Sequence, residues 1–450
     1  MDKCLTASRR HTVNANSNLK HWERPNESMR EQLVSATNFA AKPESLAMGQ
    51  PYALEHQLLL CCARLHLDDA TKALASRLVE KNLDWLYLLR TALHHGVGPL
   101  LYVNLRAMDQ DTIPPAALST LRLHMQQVFI TNSLMVQELL KILTVFDAHH
   151  LCAIPYKGPT LAISAYGNLA LRPFGDLDIW IPQHDLKKGK ALLLSLGYQP
   201  GIPDNGQAED THIRTHHDYP FFRKEKDIVL YVELQWGVTE APFSCPIAFQ
   251  PLWERRQTVS LGRNVPSLCV EDTLLVLFIH GTKHGWNKLM WICDIAALLR
   301  PQTQIDWTSL VREAEKLGGS RMLFFGLHLA NVLLDAPLPP QISRLINANP
   351  FPSYLVRHVR KELFRGTSPY SWILEENPYF YLRLRERWQD KMRLVFRYGP
   401  YYVRRIFTPN ELDVMFCPLP KSLFFLYYIL HPVRLIGVYA RQLFQRKWTT

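Results

Sequence analysis

The chain has 450 residues, 47% of them apolar and 20% charged, with 51 Lys and Arg against 40 Asp and Glu and a net charge of +11. That length exceeds what one hydrophobic core usually holds and the apolar share suits sizeable burial, so two or three folded units are expected. The eight cysteines form no Cys-x-x-Cys pair and several lie in apolar runs, a pattern that argues against disulfides and structural zinc and for reduced core thiols in a cytosolic protein.

Residues 1–45 are polar, lack the apolar block of a signal peptide and read as a disordered tail. Residues 46–148 read as helical. Leu54, Leu58, Leu59, Cys62 and Leu65 fall at helical spacing, Asp68-Asp69 restarts a helix through Leu78, and Asp84 caps another that ends at Gly96.

Residues 149–265 alternate strand and helix, the signature of a small α/β unit. Leu151 to Tyr156 is a short apolar strand. It stops at Lys157-Gly158-Pro159-Thr160, and a helix-like segment, Leu161 to Tyr166, follows. Proline suits a first helical turn, glycine lets backbone approach an anion, and the free N–H groups at a helix start attract phosphate, with Lys157 adding positive charge. Next comes Arg172-Pro173-Phe174-Gly175-Asp176-Leu177-Asp178-Ile179-Trp180-Ile181, which places two carboxylates two residues apart at the mouth of a buried strand. Side chains alternate along a strand, so Asp176 and Asp178 share a face. Two dehydrated anions side by side require a cation, and oxygen-only ligands suit Mg²⁺ completed by substrate phosphates and water. A helix from Asp185 to Leu196 closes at Gly197, and a hairpin is expected around residues 224–227. Its second strand, Ile228 to Trp236, holds Glu233 as a third carboxylate, and His216-His217 starts the strand paired with it.

Residues 266–365 return to helical periodicity, beginning with a long apolar helix at Asp272-Thr273. On it His280 and His284 stand four apart, a spacing that can bind zinc, but the intervening Gly-Thr-Lys lacks the glutamate of a zinc protease. Contact of Lys283 and His284 with a nucleotide held at the sheet, and ordinary packing, are the competing readings. Asp294, between apolar helical positions, reads as a buried hydrogen-bond acceptor. The motif Asp84-Trp85-x-x-Leu88-x-Arg90-x-Ala92 with Gly96 is echoed at identical spacing by Asp306-Trp307-x-x-Leu310-x-Arg312-x-Ala314 with Gly318: an N-cap acid, a buried Trp, one amphipathic helix and a glycine stop.

Residues 366–450 are basic and aromatic. From 351 to 450 there are 17 Lys and Arg against 7 Asp and Glu, a local net charge of +10 that accounts for nearly the whole excess. Tyr381 to Arg405 interleaves arginines with aromatic residues, a surface suited to anionic lipid, an acidic partner or, less favoured, nucleic acid, with a solvated helix face over core aromatics as the equal alternative. The apolar run from Leu423 is broken by Pro432 and Arg434, too short to span a bilayer, yet residues 421–447 have the basic flanks of a helix lying peripherally in a membrane interface. Packing over a groove of the same protein is the alternative.

Lys-Gly before a helix, Arg-x-x-x-Asp-x-Asp ahead of apolar residues, and a later Val-Glu-Leu-x-Trp strand resemble the polymerase-β-like nucleotidyltransferase superfamily, and more narrowly the bacterial group of uncharacterised nucleotidyltransferases. His94-His95-Gly96-Val97-Gly98-Pro99-Leu100-Leu101-Tyr102 and His280-Gly281-Thr282-Lys283-His284-Gly285-Trp286 are similar to that group as well, so the resemblance spans roughly residues 50–435. It implies an α+β fold in which a small mixed-sheet nucleotidyltransferase core, residues 149–265, is embedded between helical N- and C-terminal regions.

It further implies that Asp176, Asp178 and Glu233 are catalytic metal ligands, for Mg²⁺ with Mn²⁺ as the alternative. Lys157, Gly158, Thr160, Arg172, Lys283 and His284 would then hold the NTP, whose nucleotidyl group passes to a hydroxyl-bearing acceptor as pyrophosphate leaves. Two departures stand out. Lys-Gly-Pro replaces the superfamily's Gly-Ser turn, so Lys157 or Thr160 must substitute for the serine, and Gln235 stands where relatives often carry histidine. Asp-x-Asp alone would also suit a metal-dependent glycosyltransferase gripping a nucleotide sugar, and an inactive nucleotide-binding module is the third reading.

Overall fold

A computed structural model describes residues 53–434 apart from 109–111, 203–205, 226–227, 239–244, 301–302, 350, 352, 365–377, 409–416 and 418. The polar tail, Cys4, the tip of the hairpin and the end of the C-terminal apolar segment lie outside the described residues.

Four helices come first: α1 (Leu54–Cys62), α2 (Asp69–Val79), α3 (Trp85–His94) and α4 (Gly98–Arg106). Two of them, α2 and α3, start on a capping acid. The Asp68 and Asp84 carboxylates accept from the N–H groups of Thr71 and Tyr87, at 2.7 and 2.9 Å. The 34-residue α5 (Pro115–Ala148) follows. By length and composition α5 could cross a membrane, but Met135, Leu139, Ile142, Leu143 and Phe146 pack against the sheet, the behaviour of a core helix.

The sheet is built from β1 (Ile154–Pro155), β2 (Leu177–Trp180), β3 (Gln199–Pro200), β4 (Asp218–Glu225) and β5 (Ile228–Gln235), in the order β1-β2-β5-β4-β3. The β2–β5 pair is parallel and the other pairs are antiparallel. Helices α6 (Gly158–Tyr166), α7 (Leu186–Ser195) and α8 (Gly206–Thr215) occupy the connections. The expected hairpin is present, Glu225 pairing with Ile228 across its turn. Helix α8 is an element that periodicity did not reveal, as are α9 (Phe249–Glu254) and the small hairpin of β6 (Gln257–Ser260) and β7 (Asn264–Ser267).

Helices then take over: α10 (Val270–Lys283), α11 (Leu289–Leu298), α12 (Trp307–Leu317), α13 (Ser320–Leu334), α14 (Pro340–Ala348), α15 (Ser353–Leu363), α16 (Pro378–Leu384) and α17 (Trp388–Phe407). The fold is α+β, a small mixed sheet with helical regions before and after it. Strand alternation assigns the two faces of the sheet to different cores. Leu177, Ile179, Val232 and Leu234 join α5 and α7, whereas Ile154, Tyr156 and Trp180 join the large helical core that includes Phe278 and Trp286 of the α10 region.

The sequence echo extends into three dimensions. Asp84 and Asp306 both cap a helix, and each donates its own N–H to a glutamate in the first turn of an earlier helix, Glu55 at 2.7 Å and Glu271 at 2.8 Å. Trp85 and Trp307 are half-buried, less than the full burial expected, because Leu88 with Ala92 and Leu310 with Ala314 occupy the inward positions. The described cysteines are all free thiols, five of the seven buried.

Candidate active site

The acid patch is created by one strand register. Asp178 of β2 lies directly beside Glu233 of β5, and Trp180 beside Gln235. Paired residues of parallel strands project to the same side, so Asp178, Glu233 and Gln235 share the sheet face turned to the helical core. Asp178 is 5% exposed. Asp176, one residue before β2, is half-buried. The next strand adds a carboxylate that the sequence reading missed: Asp218 opens β4 opposite Gln235. In the sequence it follows the His216-His217 pair at the end of a strand, where a charge does not stand out.

Gln235 binds this patch together. Its amide nitrogen donates to Asp178 Oδ1 and, at 3.0 Å, to Glu233 Oε2, while its carbonyl oxygen accepts from the Tyr156 hydroxyl. The amide therefore has its orientation fixed from the acceptor side. Burial, reinforced by Asp178 and Glu233, raises the Tyr156 phenol well above its ordinary range, so it stays protonated and donates.

Lys157 supplies the positive charge. Its Nζ lies 2.9 Å from Asp178 Oδ2. Burial works against the ammonium, but Asp178, Asp176 and Glu233 outweigh it and raise the Lys157 pKa above its usual value. Lys157 caps α6, and Gly158 begins that helix at φ +52°, where a Cβ would stand 3.3 Å from the Asp176 carbonyl oxygen. The glycine thus permits both the left-handed turn and the approach of α6 to the acid strand. Thr160 is placed differently from Lys157. It is 1% exposed and its hydroxyl bonds the carbonyls of Pro155 and Lys157, at 3.3 and 3.1 Å, so it secures the turn.

Arg172 has a defined partner in the helical region. Its Nε and Nη2 donate to Asp294 Oδ1 and Oδ2 at 2.7 and 2.9 Å, and the Tyr166 hydroxyl adds a bond to Asp294 Oδ1 at 2.7 Å. Asp294 is the buried acceptor expected of it. The arginine's ion-paired nitrogens are committed to an anchor between α11 and the loop leading into β2, where a triphosphate contact was expected. Asn132 of α5 holds the same loop through the carbonyls of Leu169 and Arg172.

The end of α10 faces this patch. Burial lowers the His280 pKa well below its normal value and the charges of Lys157, Lys283 and Arg172 act in the same direction. His217, at the entry to β4, is likewise lowered by burial and then by Lys283. Lys283 and Lys157 thus act on common neighbours across the interface of sheet and helix. The turn carrying Lys283 and His284 is locked by Trp286, whose φ is +58° and whose N–H bonds the Gly281 carbonyl at 2.8 Å. Its buried indole fills space left by Gly281 and Gly326. The His280 and His284 rings pack around Trp291, and among the described residues no group of three His, Cys, Asp or Glu includes them.

Among the described residues no three His, Cys, Asp or Glu side chains converge as a ready metal cluster. The expected triplet is interrupted for a physical reason: the Asp178 oxygens are engaged by Lys157 and Gln235. The donor set nevertheless fits a hard divalent cation. It consists of carboxylate oxygens, and an ammonium already stands in as the cation that this patch requires.

A family model described as "Uncharacterised nucleotidyltransferase" covers residues 81–335, more than half of the chain. No curated protein and no solved structure matches the chain.

Proposed function

Because the chain belongs to the uncharacterised nucleotidyltransferase family, we propose that it moves an NMP unit from an NTP to a hydroxyl-bearing acceptor. The acceptor oxygen attacks the α-phosphorus, the bond to the β-phosphate oxygen breaks, and pyrophosphate leaves. The observation that carries this reading is the in-register pair of Asp178 and Glu233, with Lys157 at the start of α6 paired to Asp178.

Asp178 and Glu233, with Asp176 beside them, would hold Mg²⁺ once the Lys157 ammonium moves off Asp178. The bound metal would supply charge stabilisation for the attacking and leaving oxygens. Lys157 would transfer its charge to the triphosphate, where oxygens carry most of the negative charge. The backbone at Gly158 opens the N-terminus of α6, a favourable place for phosphate. Gln235, fixed by Tyr156, keeps the two carboxylates in their rotamers through this exchange. Lys283 and His284 would reach the nucleotide from the turn after α10.

The test is release of pyrophosphate from each α-labelled NTP in the presence of Mg²⁺ and cell extract, with the label followed to its acceptor. Asp178→Asn and Asp176→Asn should each abolish turnover while the folded protein persists. Turnover surviving in either variant removes that residue from the metal site. Release of a nucleoside diphosphate from sugar nucleotides, without pyrophosphate from NTPs, would replace the proposal with glycosyl transfer. Tight Mg²⁺–NTP binding without turnover would leave a binding module.

A further inference from the structure

The first part of helix α17, Trp388–Phe396, exposes most of its apolar residues. At about 100° per residue, Trp388, Met392, Val395 and Phe396 fall in one arc of the helix, and all four are exposed. Trp388 is 71% and Phe396 73% exposed. The opposite arc carries Asp390 and Leu394, both buried. Over Trp388–Phe396 the helix is therefore seated on the protein by one face and presents an aromatic, apolar stripe outward. Lys391 and Arg393 border that stripe on its two sides. Arg393 is exposed although its Nη1 lies 3.3 Å from Asp390 Oδ1.

The next described segment repeats the arrangement. A 3₁₀ turn (Lys421–Leu426) runs into a short helix to residue 434, in which Tyr427 and His431 point inward while Phe425, Ile429 and Val433 are exposed. This is the described half of residues 421–447, for which a peripheral membrane contact was read from the sequence. The stripe on α17 is a separate element with the same character.

We propose that α17 is a docking surface for an anionic lipid bilayer, with Trp388 and Phe396 entering the headgroup boundary and the bordering cations meeting lipid phosphates. Charge complementarity selects this occupant: the stripe sits within a region of net charge +10. A nucleic acid could stack on Trp388 and Phe396, but between them in the chain it would meet Met392 and Val395, which offer neither stacking planes nor hydrogen bonds. A second copy of the chain would bring two cationic rims together.

The experiment is flotation of the full chain with vesicles of phosphatidylcholine alone or with one third phosphatidylserine. Binding should be roughly tenfold stronger to the anionic vesicles and should weaken as salt rises, because the cationic attraction is screened. Trp388→Ser with Phe396→Ser should reduce binding at least about tenfold while leaving the melting temperature and NTP turnover unchanged. Failure of the wild-type chain to float, or equal flotation by the double variant, overturns the proposal. So does a dimer that the double variant dissolves, or capture of duplex RNA that depends on Trp388 and Phe396.

Discussion

Gln235 makes three hydrogen bonds, to two carboxylates and a buried phenol. Gln235→Leu keeps the volume but leaves Asp178, Glu233 and Tyr156 each short of a partner. A buried polar group left unsatisfied costs about 1–3 kcal/mol, so the melting temperature should fall together with kcat, by at least about tenfold, while the KM for NTP changes little. Tyr156→Phe retains the amide but frees its orientation and should give an intermediate loss. Gln235→His restores a donor that titrates. The two acids favour its cation, so a pH limb near neutrality should appear in kcat/KM that the wild type lacks. Wild-type turnover and stability in Gln235→Leu would show that the bridge positions nothing. The sequence displayed Gln235 as an anomaly and no more, because two of its partners lie on β2 and just after β1, and pairing across 57 and 79 residues is not written in local pattern. Asp176, Asp178 and Glu233 were readable because a charge inside an apolar strand violates the local pattern. Asp218 stood at a strand end, where a charge is unremarkable.

At the scale of elements, two devices fix the turn after α10 and the loop before β2. The first is the Trp286 slot. Replacing helical Gly281 by alanine should gain about 1 kcal/mol in helix propensity, yet the new Cβ would lie 2.5 Å from the indole ring. Trp286 is fully buried and has no room to retreat. Overpacking of about 1–3 kcal/mol should therefore prevail. Gly281→Ala should melt below the wild type and bind NTP more weakly through displacement of Lys283 and His284; a variant that melts at or above the wild type refutes the slot. The second is the pair of Arg172 and Asp294. Removing one partner of a buried ion pair costs about 3–5 kcal/mol, whereas an apolar replacement of both is often neutral. Arg172→Met should accordingly be severely destabilised and Arg172→Met/Asp294→Leu largely restored. Unchanged stability with a raised KM for NTP in Arg172→Met would return the arginine to the triphosphate. Its place in the sequence could not separate the two roles, because a cation four residues before an acid strand suits either. Helices α3 and α12 were legible down to their caps, since capping is local. The β6–β7 hairpin was not, its four-residue strands being too short to show a period.

Over the whole molecule, stability should be bounded on both sides by groups of known sign. His56 and His95 bracket the Phe364 ring, with His56 stacked on it at 4.1 Å and His95 edge-on at 6.0 Å. His56 Nε2 also pairs with the Tyr87 hydroxyl at 2.6 Å, and His95 Nε2 donates to the Leu363 carbonyl at 2.6 Å. Burial lowers the His56 pKa to about 4 and the His95 pKa to about 3. Between those values and the ordinary 6.5, the unfolded chain binds protons that the folded chain refuses, so stability falls as pH falls through this window. At pH 5 each site should have lost on the order of 2 kcal/mol. Lys157 acts in the opposite window. Its raised pKa means that its contribution is complete below the ordinary value of 10.5 and is lost as pH rises through the folded value. The melting temperature should thus be highest between these limits and decline by several degrees from pH 7 to pH 5. His95→Gln, which keeps a donor for Leu363 and cannot titrate, should remove a distinct share of the acid decline without steepening the alkaline one. A melting temperature that stays level from pH 7 to pH 5, or an acid slope identical in wild type and His95→Gln, would show that these buried rings do not set the acid limit.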